Sequence, residues 1–124
     1  MRKLAALIAA LSLLACAGAA AGAGGAPPQI PKIPGTWSHA EINVTIKKQQ
    51  HTLIVDRGKI TEITTTQLTL HRQDGTTVPI PLTAQTIVTL DNKPATISSL
   101  RRRMTATTLL VDGGAAVRVR ATSI

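Results

Sequence analysis

Aromatic side chains are almost absent from this chain, which has no Phe, no Tyr and a single Trp, Trp37, among its 124 residues. Proteins that bind single-stranded nucleic acid stack successive bases on aromatic side chains. A chain with one such side chain lacks that stacking platform. The composition therefore argues against nucleic acid as a partner.

Cysteine and acidic residues are also scarce. The only cysteine, Cys16, excludes an internal disulfide and precedes the part of the sequence that has the composition of a folded domain. Six acidic against 14 basic residues give a formal charge of +8, or +6 without Arg2 and Lys3. A basic protein outside the cytoplasm meets anionic lipid head groups or acidic envelope polymers, and these are the partners we expect.

The N-terminal segment has the pattern of an export signal. Met1–Lys3 is a short cationic stretch, and Leu4–Leu14 is an apolar run interrupted only by Ser12. The run is too short to span a bilayer comfortably, which is typical of a cleaved signal peptide. We therefore expect residues 1–23 to be a signal peptide and the protein to be exported: secreted, periplasmic or anchored on the cell envelope.

Two cleavage routes are open. Leu13–Cys16 resembles the lipobox of bacterial lipoproteins, in which Cys16 would carry the lipid and become the mature N-terminus. Small residues that follow, such as Ala19–Ala21 or Ala21–Ala23, favour ordinary cleavage without lipid. The first route gives a membrane anchor at Cys16 and the second a free protein.

The rest of the chain divides into a tether and one domain. Residues 24–35 are rich in Gly and Pro, which predicts a flexible tether. Residues 36–124 contain 18 Thr, 9 Ile and 7 Val. Because β-branched side chains lose freedom in helices and pack well on a pleated sheet, the composition predicts an all-β domain.

Alternating apolar positions and turn residues divide this domain into strands. Gly58 predicts a bulge or bend inside one long strand, Asp74-Gly75 predicts a hairpin, and Pro79 with Pro81 predicts an edge strand. A single helical turn is expected over Ala95–Leu100. The predicted strands are Glu41–Lys47, His51–Ile63, Gln67–Arg72, Val78–Leu82, Thr86–Leu90, Met104–Val111 and Ala115–Thr122.

About six or seven short strands are typical of a small antiparallel β-barrel or a sandwich. An open sheet of this length would leave two edges and one apolar face exposed, so we expect closure into a barrel. The residues predicted to form its core are Ile42, Val44, Leu68, Leu70, Val78, Ile80, Val88, Leu110, Val117 and Val119.

Part of this pattern resembles a known family. Gly58–Ile63, Leu68–Leu70 and Asp74–Val78, followed by Thr86–Val88, resemble the bacterial domain of unknown function number 5666. The resemblance covers about residues 58–121 and departs from the family where Arg101–Arg103 replace a usual glycine turn. It implies a small secreted or envelope β-barrel and brings no known substrate.

The sequence shows no catalytic pattern. His39, His51 and His71 stand at no metal-ligand spacing, and Asp74, Asp91 and Asp112 are predicted to bond to nearby backbone N–H groups in turns. The other acids form no evident pair for acid–base work, and no glycine-rich phosphate loop or nucleophile motif is present. We therefore expect a protein that is not an enzyme and that has no cofactor and no metal site.

Basic residues are the one functional feature. The candidate anion-binding residues are Arg101, Arg102, Arg103, Arg118 and Arg120, with Lys47, Lys48, Arg57 and Lys59 as further cations that join them if strand closure brings them together. The hypothesis is a non-catalytic binding or interaction module of the envelope that takes anionic polymer or lipid head groups. The alternative is a structural or accessory envelope domain whose charges are simply solvated.

Overall fold

The computed structural model describes residues 27–124, so the predicted signal peptide and Cys16 lie outside the described residues. Eight strands form one sheet, and the all-β prediction is confirmed. The strands are β1 (His39–Ile46), β2 (Gln49–Ile63), β3 (Gln67–Arg72), β4 (Thr77–Pro81), β5 (Ile87–Leu90), β6 (Lys93–Ala95), β7 (Thr105–Val111) and β8 (Ala116–Thr122). A 3₁₀ turn, Ile97–Ser99, lies within the predicted helical turn.

Strand β2 is the centre of the sheet because three strands pair with it. Its residues 49–56 pair with β1, its residues 58–63 pair with β3, and its residues 53–59 pair with β7. Since residues 53–56 have partners in both β1 and β7, those two strands lie on opposite edges of β2. The full order is β4-β3-β2-β7-β8-β5-β6, with β1 beside β3 along the same edge of β2.

Gly58 lies where the partner of β2 changes from β1 to β3. The bulge lies at Thr61, between the pairs Ile60–Leu70 and Glu62–Thr69, so the prediction of a bulge at Gly58 is wrong. What requires glycine is close approach: a Cβ atom on Gly58 would stand 2.5 Å from the backbone oxygen of His71. The absence of a side chain lets β3 approach β2 at this point.

The sheet is not closed into a barrel, so the predicted closure is wrong. The two ends of the sheet are β4 and β6. Directly after β4, Leu82 N donates to Thr66 O, and by alternation the nitrogens of Pro79 and Pro81 in β4 face outward. In β6, Leu90 and Lys93 flank a two-residue turn, so the nitrogen of Pro94 also faces outward. Proline cannot donate a ladder hydrogen bond, and both ends therefore lack donors that closure needs.

Strand direction also differs from the prediction at one pair. β5 and β8 run parallel, over the four pairs from Ile87–Arg118 to Leu90–Ala121, whereas a fully antiparallel sheet is expected from the hairpin signals. The chain between them contains β6, the 3₁₀ turn and β7, which is long enough for the crossover that parallel strands need.

Hydrophobic residues are buried on both faces of the sheet. The main cluster contains five of the ten predicted core residues, Leu68, Leu70, Ile80, Val88 and Val119, with Val78 and Leu110 partly buried against it. A smaller second cluster of Leu53, Val55 and Leu109 lies on the opposite face. The remaining predicted core residues, Ile42, Val44 and Val117, pack partly buried against this second cluster, together with Ile30 and Trp37.

Among residues 27–124, no helix is long and apolar enough to cross a membrane.

Candidate functional site

The face that carries the second cluster continues into a polar, basic surface. Alternation along β2 places Arg57 and Lys59 on the same face as Val55. Arg57 is paired with Thr107 of β7, which is paired with Arg120 of β8, so the two arginines stand in one row across three strands. Neighbouring strands are ~4.8 Å apart, which places the two arginine backbones about 10 Å from each other.

A second row runs parallel to the first. Lys59 is paired with Thr105 of β7, and Thr105 is paired with Thr122 of β8. On the other side, Lys59 is paired with His71 of β3. The surface beside the second cluster therefore has exposed cations at both ends of the first row and one within the second, with Thr107 buried between the two arginines and Thr105 and Thr122 more accessible.

The described part of the predicted tether lies against this face. Arg118 donates from Nε to the carbonyl of Pro28 (2.7 Å) and from Nη2 to the carbonyl of Pro27 (3.0 Å), while Ile30 packs on the second cluster. These contacts hold the chain over the sheet. The residues that follow form the opposite wall of a depression of about 200 Å³, lined by Pro31, Lys32, Ile33, Trp37, Arg57, Thr105, Thr107, Arg120 and Thr122.

A second, larger depression of about 610 Å³ adjoins the first. The two share Trp37, Arg57 and Thr105, so they are adjacent, and we call them together the basic groove. The lining of this second part is Thr36, Trp37, Arg57, Gly58, Lys59, His71, Arg72, Gln73 and Thr105.

The basic groove carries cations that have no counter-charge among its lining residues. Among residues 27–124, no carboxylate lines either part of it. Within residues 27–124, the side chains of Lys32, Arg57, Lys59 and Arg120 make neither an ion pair nor a hydrogen bond, and all four are exposed. Like charges held on one surface repel each other, and an anion in the groove relieves that repulsion.

Arg72 is the exception in the basic groove because its charge is compensated. Its Nη1 donates to Asp56 Oδ1 at 2.7 Å, and its Nε lies 3.8 Å from Asp74 Oδ1. Arg72 therefore supports the wall of the groove and is not free to take an anion.

The five arginines predicted to bind anions do not form one surface. Arg120 lines the basic groove, and Arg118 lies beside it, with its guanidinium committed to Pro27 and Pro28. Arg101–Arg103 lie in the loop between the 3₁₀ turn and β7, are exposed, and line neither part of the groove. The side chain of Arg101 instead donates to the carbonyls of Ser98 (2.6 Å) and Leu100 (2.9 Å).

The other cations named from the sequence divide in the same way. Arg57 and Lys59 enter the basic groove, whereas Lys47 and Lys48 form the turn between β1 and β2. Lys32 was not identified as a candidate because it falls in the segment predicted to be a tether. The sequence signal that finds Arg57, Lys59 and Arg120 is their alternation with apolar residues on strands, which places them on one face once the register is known.

A buried ion cluster lies on the opposite face of β2 from Arg57. Asp56 is 3% exposed, and its Oδ1 accepts from Arg72 and lies 2.7 Å from Nδ1 of His39. The other ring nitrogen of His39 lies 3.1 Å from Glu41 Oε2. The hydrogen bond to Asp56 and the weaker one to Glu41 raise the pKa of His39, with burial opposing them. The sequence gives no sign that Asp56 and Glu41 are neighbours. In the structure the pairing of β1 with β2 places both carboxylates next to the ring of His39.

The three histidines have different partners. His39 contacts Asp56, His51 Nδ1 lies 2.6 Å from Asp112 Oδ2, and His71 Nδ1 lies 3.3 Å from Thr77 Oγ1. In the described part of the chain, no group of three or more histidine, cysteine or acidic side chains is arranged to hold a metal ion.

The predicted turn aspartates bond to backbone N–H groups, one locally and two at long range. Asp74 accepts from Thr76 N at 2.9 Å, as expected for a hairpin turn. Asp112 accepts from Thr52 N and Asp91 from Ser123 N, both of which are distant in sequence. The pKa of Asp112 is lowered chiefly by its hydrogen bond to His51, and those of Asp74 and Asp91 by their backbone hydrogen bonds.

The chain matches no protein-family model, no curated protein and no solved structure. The resemblance to the domain of unknown function number 5666 therefore stays a prediction.

Proposed function

We propose that this chain is an exported, non-catalytic binding module of the cell envelope and that its basic groove holds an anionic polymer. The observation that carries the proposal is the set of four exposed cations, Lys32, Arg57, Lys59 and Arg120, in a groove that no carboxylate of residues 27–124 lines. The N-terminal pattern of residues 1–23 supports export, with Cys16 as the residue that carries a lipid anchor on the lipoprotein route.

The shape of the site favours a polymer over a membrane surface. A concave channel between residues 31–37 and the sheet admits an extended chain, whereas a bilayer surface meets convex, apolar protrusions. The large hydrophobic residues exposed among residues 27–124 are Ile46 in β1, Ile87 in β5 and Ile124 at the C-terminus. Such scattered side chains do not form the apolar face that inserts into lipid.

The guanidinium groups set the chemistry of the ligand. Arginine presents donors in a planar fork that matches carboxylate or phosphate oxygens in a bidentate way. Arg57 and Arg120 stand in one row about 10 Å apart across the strands, so a chain with repeated anions meets both.

The test compares two double variants that remove the same charge. The Arg57→Ser/Arg120→Ser protein should lose about a hundredfold or more in affinity for an anionic polymer, because it loses two charge-assisted hydrogen bonds that contribute about 1.5–3 kcal/mol each. The Arg102→Ser/Arg103→Ser protein is the control, since those residues lie outside the groove. Calorimetric titration with polygalacturonate and with polyphosphate, at low and moderate salt, measures both.

Three outcomes decide the proposal. A selective loss in the groove variant supports it, and binding should weaken with salt because exposed charges are screened beyond ~8 Å at physiological ionic strength. Equal losses in both variants, or no binding of either polymer, contradict it and favour the accessory role with solvated charges. Stronger sedimentation with anionic vesicles than binding to either polymer would replace the polymer with lipid head groups.

A further inference from the structure

Trp37 is the only aromatic side chain of the protein, and it stands where the two parts of the basic groove meet. It is half-buried, packs against the second cluster and lines both depressions. The main cluster is built from aliphatic side chains and one methionine. The single large ring thus lies in the groove wall, between the cations of the first part and those of the second.

Trp37 packs against the cluster of Leu53, Val55 and Leu109 and also lines both parts of the groove, so part of this residue is accessible to a ligand there. Such a ring offers apolar contact area at low conformational cost and has few rotatable bonds to fix. The C–H face of a sugar ring is the apolar part of an otherwise polar ligand, and it stacks on an indole. The sugar hydroxyls then meet hydroxyl groups such as those of Thr105 and Thr122, which line the groove.

A carboxylate on the same sugar completes the match. Arg57 lines both parts of the groove together with Trp37, so a ring stacked on Trp37 places its substituents within the region that Arg57 serves. The guanidinium fork fits a carboxylate in a bidentate manner. Lys32 and Arg120 lie on one side of this point, and Lys59 on the other, so that a charged chain can continue in both directions.

We propose, on the basis of the function proposed above, that the anionic polymer is an acidic polysaccharide and that Trp37 stacks on its sugar rings. Polyphosphate has the charge but no ring, and would use only the cations. Single-stranded nucleic acid has both charge and rings, but the chain offers one stacking side chain rather than a series of them.

The intrinsic fluorescence of Trp37 tests this inference directly, because no other tryptophan or tyrosine contributes to it. The exported protein is titrated with polygalacturonate, polyphosphate and oligo-dT, at matched anion concentration, with emission and calorimetry recorded together. Polygalacturonate should bind more tightly than the other two and shift the emission of Trp37. Polyphosphate should bind with a smaller change in emission.

Two variants separate stacking from folding. Trp37→Leu should weaken polygalacturonate binding by about two- to tenfold, the range expected for loss of one aromatic contact, and leave polyphosphate binding unchanged. Trp37→Phe keeps a flat ring and should retain most of the affinity. Circular dichroism verifies that each variant is folded. If Trp37→Leu unfolds, the affinity of Trp37→Phe measured by calorimetry and the emission titration of the native protein still decide.

The outcomes distinguish this inference from the function beneath it. If polyphosphate binds as tightly as polygalacturonate and Trp37→Leu weakens neither, the inference of a polysaccharide ligand is contradicted. The proposal that the basic groove binds an anionic polymer is then retained. If oligo-dT binds most tightly, nucleic acid replaces the polysaccharide. If none of the three polymers binds, the proposed function itself fails.

Discussion

The two faces of the sheet achieve burial in different ways. The main cluster lies between strands at both ends of the sheet and the 3₁₀ region, whereas the second cluster has three buried residues and is covered by residues of the N-terminal segment. Arg118 fixes that segment through two neutral carbonyl groups. The first face is therefore a core made by the sheet itself. The second depends on the segment of residues 27–37, which we call the strap and which also forms one wall of the basic groove.

This difference connects stability to function on one face only. A change in the main cluster alters the unfolding free energy of the whole domain and leaves the lining of the groove in place. A change in the second cluster alters the support of Trp37 and of the strap, and so reaches the groove as well. Three substitutions test that separation.

The largest effect is expected for Leu70→Ala in the main cluster. Leu70 is fully buried, so the lost transfer energy and the cavity should lower the free energy of unfolding by about 2–5 kcal/mol. Thr69→Ala is the control, because Thr69 points to the opposite side of β3 and is only half-buried. Denaturant unfolding measures both. Equal losses of stability would mean that the facing of β3 is wrong.

Leu109→Ala tests the second cluster and should cost about 2–3 kcal/mol, the lower part of the range for such changes. Leu109 is also fully buried, but Ile30 and the strap around it can settle into the space. Below the unfolding transition, Leu109→Ala should shift the emission of Trp37, whereas Leu70→Ala should not. An unchanged emission in the Leu109 variant would contradict the support that the second cluster gives to Trp37.

The sequence predicts the local elements of this fold well because each depends on a few neighbouring residues. Asp74-Gly75 predicts the β3–β4 hairpin, and Gly75 has φ +90° there. Pro79 and Pro81 correctly identify β4 as an edge. The turn at Lys47-Lys48 is absent from the prediction because both residues adopt positive φ without the glycine or asparagine that signals such a turn.

The pairing of strands that are distant in sequence could not be predicted from the sequence. To predict the parallel pairing of β5 with β8, one would have to know that these two strands lie side by side, although three other elements separate them in the chain. To predict the row from Arg57 through Thr107 to Arg120, one would have to know the register of β2 with β7 and that of β7 with β8. Three consecutive arginines, Arg101–Arg103, attract attention in the sequence, yet isolated arginines on neighbouring strands are the ones that converge.

The smallest effect is expected at His39, whose protonation ties the pairing of β1 and β2 to pH. Hydrogen bonds to Asp56 and Glu41 raise the pKa of His39 above its ordinary value of 6.5. A raised pKa in the folded state means that the protonated form stabilises the fold. That contribution is complete below pH 6.5 and is lost as the pH rises through the folded-state pKa of His39. Because His39 is partly exposed, we expect a loss of less than about 1 kcal/mol.

The measurement is the free energy of unfolding as a function of pH, from pH 5.5 to 8.5, for the native protein and for His39→Gln. The native protein should lose stability across this range, and the Gln variant, which keeps a donor towards Asp56 but does not titrate, should show a flatter profile. His71→Gln is the matched control, since within residues 27–124 the side chain of His71 hydrogen-bonds only with the hydroxyl of Thr77, and this variant should keep the slope of the native profile. A profile that rises with pH in the native protein, or that keeps its slope in His39→Gln, would show that His39 does not carry the pH dependence.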